Sequence, residues 1–485
     1  MSEQSVSSPG MVCGFSGTWR RGDGPPRGRA WGAAVWHAER ELTLGFAGEI
    51  YDLPALRRHW SLPPDAAASA VLSAAWRHEG EAGLARIDGM FACALADAGS
   101  LRLYRHGSGV HDLYVHDGPQ AVAFATDIDA LLALPGVPRQ LSRRALHEYL
   151  RFLDVAAPET IYQGVQAMPD GAGWHWRPGA RLAEPFAPAD VTEPQPIDFD
   201  AAIDDAQQRL THAIARRLEG GRRPASFLSG GVDSALIAAL AAHSRPDLTT
   251  LTVGFDGERY DESPAARQIA RHLGLAHEVL RFDHDEHVDA FERLMSSLAQ
   301  PMADPATTST LLAFERARER FDIILDGTGA DEAMGAMPPR HVRIAVGWAS
   351  LLPQPLRRAG VKALRALPPL VGYAPILDFE HPAEMSIRWR GFPRADVAAL
   401  AGGFVSFDHT TYFRAFARCG RRDHYARASA LQDAAPCHRL TEAVRGSAAP
   451  VRFPFWDRNV DRRLRALPEA WRHVPGQPKR LLRAL

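Results

Sequence analysis

The spacing of apolar and polar positions changes character partway along the chain. From residue 11 to about 180, short β-rich runs such as "LRLYRHG" and "AVAFATD" alternate with helical segments such as "DAAASAVLSAAWRHEG". From Ala201 the units lengthen. The pattern predicts a helix over 201–219, a strand over 225–228, a helix over 234–243, a strand over 249–255 and a helix over 262–273, followed by "FDIILDGTGADEAMG". Alternation of strands and helices at this length predicts a parallel sheet with helices on both faces. Between the two regimes, "PFAPADVTEPQPIDFD" (185–200) is rich in proline and acidic residues and reads as a linker. Residues 340–485 are mostly helical, punctuated by prolines. The expected division is therefore 1–190 and 198–485, with no internal repeat and no low-complexity tract.

Composition narrows the classes. At 485 residues, two or three domains fit a prior of about 150 residues each. A hydrophobic share of 46% and a charged share of 23% suit a globular chain with sizeable cores. The formal net charge of -1 gives no overall electrostatic case for nucleic acid or an anionic membrane as partner. Cys13, Cys93, Cys419 and Cys437 are far apart and lack CxxC spacing, which argues against a zinc site or a disulfide framework. With no basic, apolar signal pattern at the N-terminus and no apolar run near the ~20 residues that span a bilayer, a cytoplasmic location is expected. One oddity stands out: of 56 Lys+Arg residues, only Lys362 and Lys479 are lysine.

The chemistry concentrates where the apolar run Ala225–Leu228 breaks into Ser229-Gly230-Gly231-Val232-Asp233-Ser234. A strand ending in a glycine-rich loop that opens a helix presents backbone amides and the positive helix end, a ready anion site. The glycines let the backbone approach a phosphate without a Cβ clash. Ser229 and Ser234 add hydroxyl donors. Asp233 would repel a bare phosphate, so its presence implies a bridging cation, most simply Mg²⁺. The GK[ST] element of a Walker A loop is absent. The plainer alternative is a strand–turn–helix corner with no ligand.

"SGGVDS" resembles the pyrophosphate loop of ATP pyrophosphatases that form acyl-adenylates, and the order of segments resembles the asparagine synthetase branch nearly end to end. "FAGEIYDLPALRRHW", "GLARIDGMFACALADAGSLRLYRHGSGVHDLYV" and "FATDIDALLALPG" are similar to that branch's glutaminase domain. "DGTGADEAMG" and "VRFPFWDRNVDRRLRALP" are similar to its later segments. The resemblance implies an α/β protein: an N-terminal class II glutamine amidotransferase-like (Ntn-type αββα) domain, then a doubly wound parallel-sheet pyrophosphate-loop synthetase domain with a helical C-terminal part. It implies ATP and Mg²⁺ as cofactors, and a two-step condensation through an acyl-adenylate. The nucleotide would be held by Leu228, Ser229, Gly230, Gly231, Asp233, Ser234, Val253, Asp326 and Gly327. Asp233 and Asp331, each after a parallel strand, would share the Mg²⁺ at the carboxyl edge of the sheet, where ligands bind in such folds. Lys479 would reach the α-phosphate.

Departures from the pattern point to the substrate. A glutaminase of this branch uses an N-terminal cysteine whose own amine is the base, but Cys13 follows twelve residues. Ala47-Gly48-Glu49 stands where the family has NGE, losing the amide expected to hold the oxyanion. The expected result is a degenerate amidotransferase domain with Cys13 a buried small residue. Without ammonia, the amine comes from the substrate. β-Lactam synthetases place a Tyr, and asparagine synthetases a Glu, where this chain has Thr328, which has no useful pKa near neutrality. A terminal amine, with a pKa of about 7.7–8, does not need that base.

"DGTGADE" therefore looks most like the lasso-peptide cyclases, which join a peptide's N-terminal amine to an Asp or Glu side chain. The partners implied are a precursor peptide and a leader-processing peptidase, with no nucleic acid and no membrane. The alternatives are an asparagine synthetase-like or β-lactam synthetase-like enzyme acting on a small amino acid, and an inactive peptide-binding scaffold. The stretch "EMSIRWRGFPRADVAALAGG", with aromatics nearby, is expected to form a wide cavity suited to a peptide. His284, Asp285, Glu286 and His287 hint at metal but read more plainly as an acidic helix start. Asp261 is expected near a helix N-cap.

Overall fold

The computed structural model describes residues 14–20, 26–31, 34–38, 42–97, 99–107, 110–177, 184–186, 198–255, 257, 261–335, 338–387, 389–403, 405–418, 430–431, 438–474 and 477–485. The short apolar runs of the first third become the strands β1 Gly14–Arg20, β2 Arg27–Trp31, β3 Val35–Ala38, β4 Thr43–Ile50, β5 Gly89–Asp97, β6 Ser100–Arg105, β7 Tyr114–Asp117, β8 Ala121–Ala125, β9 Gln166–Ala167, β10 Gly173–Trp176 and β11 Glu184–Phe186. They pair into two antiparallel sheets, β2-β1-β8-β7-β9 and β11-β10-β6-β5-β4-β3.

Period-two alternation puts one face of each sheet against the other. Phe15, Trp19, Val122 and Phe124 from the first sheet meet Ala92, Ala94, Leu101 and Leu103 from the second. The outer faces are covered by helices. Val71, Leu72 and Ala75 of helix Ala68–Glu79 pack on Leu44, Phe46 and Leu95. Helix Ile128–Leu132 packs on Tyr114, Ala123 and Ala125 of the other sheet. The layers are thus α, β, β, α.

The expected linker begins later than its composition suggests. Pro185 and Phe186 belong to β11, which pairs with β10 at the edge of the second sheet. A proline is tolerated on an edge strand such as this one. Residues 187–197 lie outside the described residues, and the helix that closes the stretch starts at Phe199, capped by Asp198.

The second half supplies β12 Pro224–Phe227, β13 Thr249–Val253, β14 Ala276–Leu280, β15 Ile323–Leu325 and β16 Val451–Arg452, all parallel in the order β14-β13-β12-β15-β16. The helices that matter below are α1 Phe199–Leu218, α2 Val232–Ser244, α3 Ser263–His272, α4 Thr307–Arg318, α5 Ala330–Met334, α6 Arg340–Ser350, α7 Gln354–Arg365, α8 His438–Ser447, α9 Arg458–Ala466 and α10 Arg480–Ala484. Each expected element of 201–273 is present with ends shifted by no more than two residues. Alternation within β15 sends Ile323 and Leu325 toward α1, α2, α9 and α10, and Ile324 toward α4 and α8. Both faces of β15 are therefore buried, and its Ile-Ile-Leu is a continuous apolar run for that reason.

The second of these cores also holds Tyr51, Met90 and Val110, so the two halves of the chain share apolar contacts. A buried ionic cluster lies beside them. Arg217 Nη1 is 2.9 Å from Asp457 Oδ2 and 3.4 Å from Asp88 Oδ2, and its guanidinium stacks 4.5 Å from the Tyr51 ring centre. Burial and the neighbouring Asp457 charge hold Asp88 above the usual carboxylate range. Arg452 Nε reaches Glu49 at 2.9 Å from the other side.

Candidate active site

Strand β12 ends and the chain turns through Leu228, Ser229, Gly230 and Gly231 into α2, whose first turn carries Asp233 and Ser234. Hydroxyls hold the turn. Ser229 donates its amide to Ser234 Oγ at 2.9 Å, the two Oγ atoms are 2.9 Å apart, and Gly231 donates its amide to Ser229 Oγ at 3.1 Å. Gly230 turns its amide to Glu262 Oε2 at 3.2 Å, so a carboxylate from the start of α3 meets the anion-binding end of the loop.

The second loop leaves β15 as Asp326-Gly327-Thr328-Gly329 and opens α5, which carries Asp331. Asp326 accepts the Thr328 amide at 2.8 Å and its hydroxyl at 2.5 Å. Gly327 is there because the two loops touch: a Cβ on it would stand 2.9 Å from the Ser234 backbone nitrogen. Strands β12 and β15 are neighbours, yet β12 connects onward to β13 on its other side. Ligands in doubly wound sheets bind at this switch point, outside the carboxyl ends of the strands.

Lys479 completes the arrangement from the far end of the chain. It adopts φ 56° between Pro478 and α10, whose Leu481 and Leu482 are buried among the helices under the sheet. Its ammonium lies 2.8 Å from Asp331 Oδ1 and pairs also with Asp233 Oδ2. Burial pushes the Asp233 carboxyl up, against the pull of Lys479. Burial alone would lower the Lys479 ammonium, but the two carboxylates outweigh it and hold it above its ordinary value. Asp233 Oδ1 is buried without a hydrogen-bond partner. A carboxylate oxygen left in that state fits a cation, so the donor set of Asp233 and Asp331 is compatible with Mg²⁺.

A cavity of about 390 Å³ lies over these loops. Of the residues expected from sequence, Leu228, Ser229, Gly231, Asp233, Ser234, Val253, Asp326, Gly327 and Asp331 line it. Gly230 and Lys479 do not, although Lys479 is bound to two residues that do. Sequence reasoning missed Glu262, Phe255, Ser309, Thr310 and Arg439, which also line the cavity. Glu262 stood next to a residue that was singled out. Asp261 accepts the Ser263 amide and hydroxyl at 3.1 and 3.0 Å, which places it, as expected, beside the N-cap of α3, Glu262, and fixes the turn that delivers Glu262 to the loop. No His, Cys or Tyr lines the cavity among the described residues.

Asp283 and Glu286 form a capping box, and His287 Nδ1 bonds the Asp283 carbonyl at 2.9 Å, which accounts for the His284–His287 cluster as a helix start. Cys13 lies outside the described residues. Ala47 is fully buried between the sheets, and Gly48 has φ 122°, where an added Cβ would stand 2.0 Å from the Met90 carbonyl oxygen. In the helical part, a cavity of about 840 Å³ is lined by His381, Met385, Ser386, Phe407, Phe413 and Phe416. Only the start of the stretch from Glu384 to Gly403 contributes to it.

A four-layer αββα unit joined to a parallel sheet with a glycine-rich loop at its switch point defines a protein of amidotransferase-plus-synthetase architecture. Residues 205–485 match the asparagine synthase family, residues 34–186 match the glutamine amidotransferase domain family, and the chain belongs to the asparagine synthase family. Among curated relatives, the putative glutamine-hydrolysing asparagine synthetase of Mycobacterium tuberculosis is 31% identical over 385 residues, 73% of this chain and 59% of that protein. Asparagine synthetase 1 of Bacillus subtilis is 26% identical over 312 residues, 63% of this chain and 49% of its own length. The chain thus spans about three fifths or less of the length of these relatives. Among solved structures, glutamine phosphoribosylpyrophosphate amidotransferase from B. subtilis aligns over 67% of this chain and 71% of its own, at 8% identity and a TM-score of 0.26. Among the described residues, no helix is long and apolar enough to cross a membrane.

Proposed function

We propose that this protein is an ATP-dependent amide synthetase that activates a carboxylate as its acyl-adenylate and passes the acyl group to an amine. The observation that carries the reading is the Lys479 ammonium held between Asp233 and Asp331 beside the Ser229–Ser234 loop. In the first step a substrate carboxylate oxygen attacks the α-phosphorus of ATP, and the bond to the β-phosphate oxygen breaks to release pyrophosphate. The loop amides and hydroxyls would hold the leaving group, and Leu228, Leu251 and Val253 offer an apolar wall for the base. Mg²⁺, held by Asp233 and Asp331, would supply charge neutralisation for the pyrophosphate. Lys479, released from one carboxylate, would place its charge at the α-phosphate and stabilise the developing oxyanions. In the second step the amine attacks the acyl carbonyl and AMP leaves.

The acid and amine are a further choice. The relatives' names favour a small amino acid such as aspartate, with ammonia from glutamine, and this is the reading nearest to them. A specific observation favours the other. The cavity's described lining holds no His, Cys or Tyr, and its glutamates are Glu262, which accepts the Gly230 amide, and Glu332; the Thr328 hydroxyl is engaged by Asp326, and Ala47 is sealed inside the amidotransferase-like domain. Such a site suits an amine that is already nucleophilic. The finer proposal is a lasso-peptide cyclase joining a precursor's N-terminal amine to an Asp or Glu side chain, and the 840 Å³ aromatic cavity supports a peptide substrate. Substrate-dependent ATP–pyrophosphate exchange, compared between a precursor peptide and aspartate, tests both levels. Exchange with neither acid, or ADP and phosphate as products, would remove the acyl-adenylate assignment.

A further inference from the structure

The helices α6 and α7 and the turn between them carry a chemistry that the synthetase reading does not use. Exposed large apolar residues cluster here: Ile344, Trp348, Leu351, Leu352 and Leu356, with Trp348 at 71% and Leu351 at 73% exposure. Ile344, Trp348 and Leu351 recur at helical spacing on one face of α6 and its extension, while Val346 and Ala349 on the opposite face are buried. The apolar face is thus turned outward, and exposure peaks at the turn rather than in a groove. Exposed apolar patches of this kind mark an interaction site.

The charge of the same segment is one-sided. From Ala333 to Leu377 the sequence has no Asp or Glu, and it contains Arg340, Arg343, Arg357, Arg358, Lys362 and Arg365. The near-zero net charge of the whole chain conceals this local excess. Lys362 is one of the chain's two lysines. Behind the turn, a cavity of about 440 Å³ is lined by Arg357, Arg358, Lys362, Arg365 and Arg394 over an apolar floor that includes Val361, Leu377 and Phe379. The facing carboxylates are few: Asp378 in the lining, Asp396 at 2.9 Å from Arg365, and Glu380 at 3.4 Å from Arg394.

We propose that the α6–α7 turn docks on an anionic phospholipid surface, with Trp348, Leu351, Leu352 and Leu356 entering the headgroup–acyl boundary and Arg358 and Lys362 meeting lipid phosphates. Outward Trp and Leu flanked by Arg and Lys, without acidic residues, is the arrangement of a helix that lies in a membrane interface. The cavity of cations over an apolar floor offers a place for one anionic headgroup with part of its chain. A second copy of this protein is disfavoured as the occupant, because a two-fold contact would set the same cationic surfaces against each other.

Flotation of the full chain with vesicles tests this, comparing phosphatidylcholine alone with equal parts phosphatidylcholine and phosphatidylglycerol. Binding is expected to the anionic vesicles, to weaken with added salt, and to be slight on the neutral ones. Arg358→Glu with Lys362→Glu should lower partitioning about tenfold or more. Trp348→Ser with Leu351→Ser should lower it comparably, and neither pair should shift the thermal midpoint, since these side chains are exposed. Failure to bind either vesicle, equal binding to both, or full binding by both variants would overturn the proposal. So would a wild-type dimer that Leu351→Ser dissociates, because the patch would then be covered by a second copy. Should the apolar pair fold poorly, the charge pair decides alone.

Discussion

Lys479 Nζ lies 2.8 Å from Asp331 Oδ1 while also paired with Asp233, so one ammonium closes the two loops that leave β12 and β15. In a chain that uses arginine nearly everywhere, including Arg217 between Asp88 and Asp457, this position instead holds a compact ammonium, a point charge on a flexible stem rather than a planar fork. Lys479→Ala should lower kcat for adenylation about 10²–10³-fold, the loss of one preorganised donor in the transition state. Lys479→Arg should be nearly as damaging. Near-wild-type turnover by the Arg variant would show that only charge is needed there.

Asp233 and Asp331 differ in setting: the first is mostly buried with one oxygen unpartnered, the second has a side chain 60% exposed. Asp233→Asn and Asp331→Asn should each abolish ATP–pyrophosphate exchange, and the loss should not be rescued by raising Mg²⁺. Both sit on helix starts at the loops rather than in the apolar cores, so circular dichroism should report an intact fold. Retained exchange in either variant would remove that carboxylate from the cation site.

The parts of this site that were legible in sequence are those encoded locally. Ala225–Leu228 followed by Ser-Gly-Gly announces a strand and a loop whatever lies elsewhere, and alternation and length gave the parallel sheet. Glu262 was not legible, because its role depends on a contact with Gly230 that only the packing of α3 beside the loop creates. Lys479 was marked by resemblance and by being one of only two lysines, but its pairing with Asp233 across 246 residues of chain was not legible. The cluster of Tyr51, Arg217, Asp88 and Asp457 was likewise invisible: each is an ordinary residue type, and only burial between the two halves makes it an ionic core. Composition misled at Pro185, where a proline-rich start to a linker is also an acceptable edge strand.

The close approach of Gly327 to Ser234 gives a prediction about backbone rather than charge. An added methyl would stand 2.9 Å from the Ser234 nitrogen and 3.2 Å from the Asp233 carbonyl carbon, neither of which can swing aside. Gly327→Ala should therefore push the two loops apart, cost about 1–3 kcal/mol of stability, and depress exchange more than the melting point suggests. An alanine variant with unchanged exchange would show that the spacing of the loops is not critical.

Glutamine should be a poor nitrogen source for the described architecture. Ala47 presents a methyl group inside the sheet-to-sheet core where an oxyanion-holding amide is expected by resemblance, and Glu49 is turned to Arg452. The purified chain should release no glutamate from glutamine, and Cys13→Ala should leave acid-dependent AMP formation unchanged. Glutamate release abolished by Cys13→Ala would reinstate a working amidotransferase and favour the ammonia-using reading.

Glu148 supplies a pH-dependent test of the contact between the amidotransferase-like half and the helical part. Its Oε1 accepts the Thr411 amide at 2.7 Å, and burial pushes its carboxyl from an ordinary 4.5 to about 7. Because the folded-state value is the higher one, the native chain keeps this proton between pH 4.5 and 7 while the unfolded chain gives it up. The associated stability is present in full below pH 4.5 and is lost as pH rises through 7. The loss is about 3 kcal/mol at most. Glu148→Gln keeps an acceptor for Thr411 and has no proton to lose, so it should match wild type near pH 4.5 and melt higher than wild type at pH 8. Parallel thermal midpoints for the two proteins across that range would mean that Glu148 carries no raised pKa, and that its carboxylate is tolerated charged against Thr411.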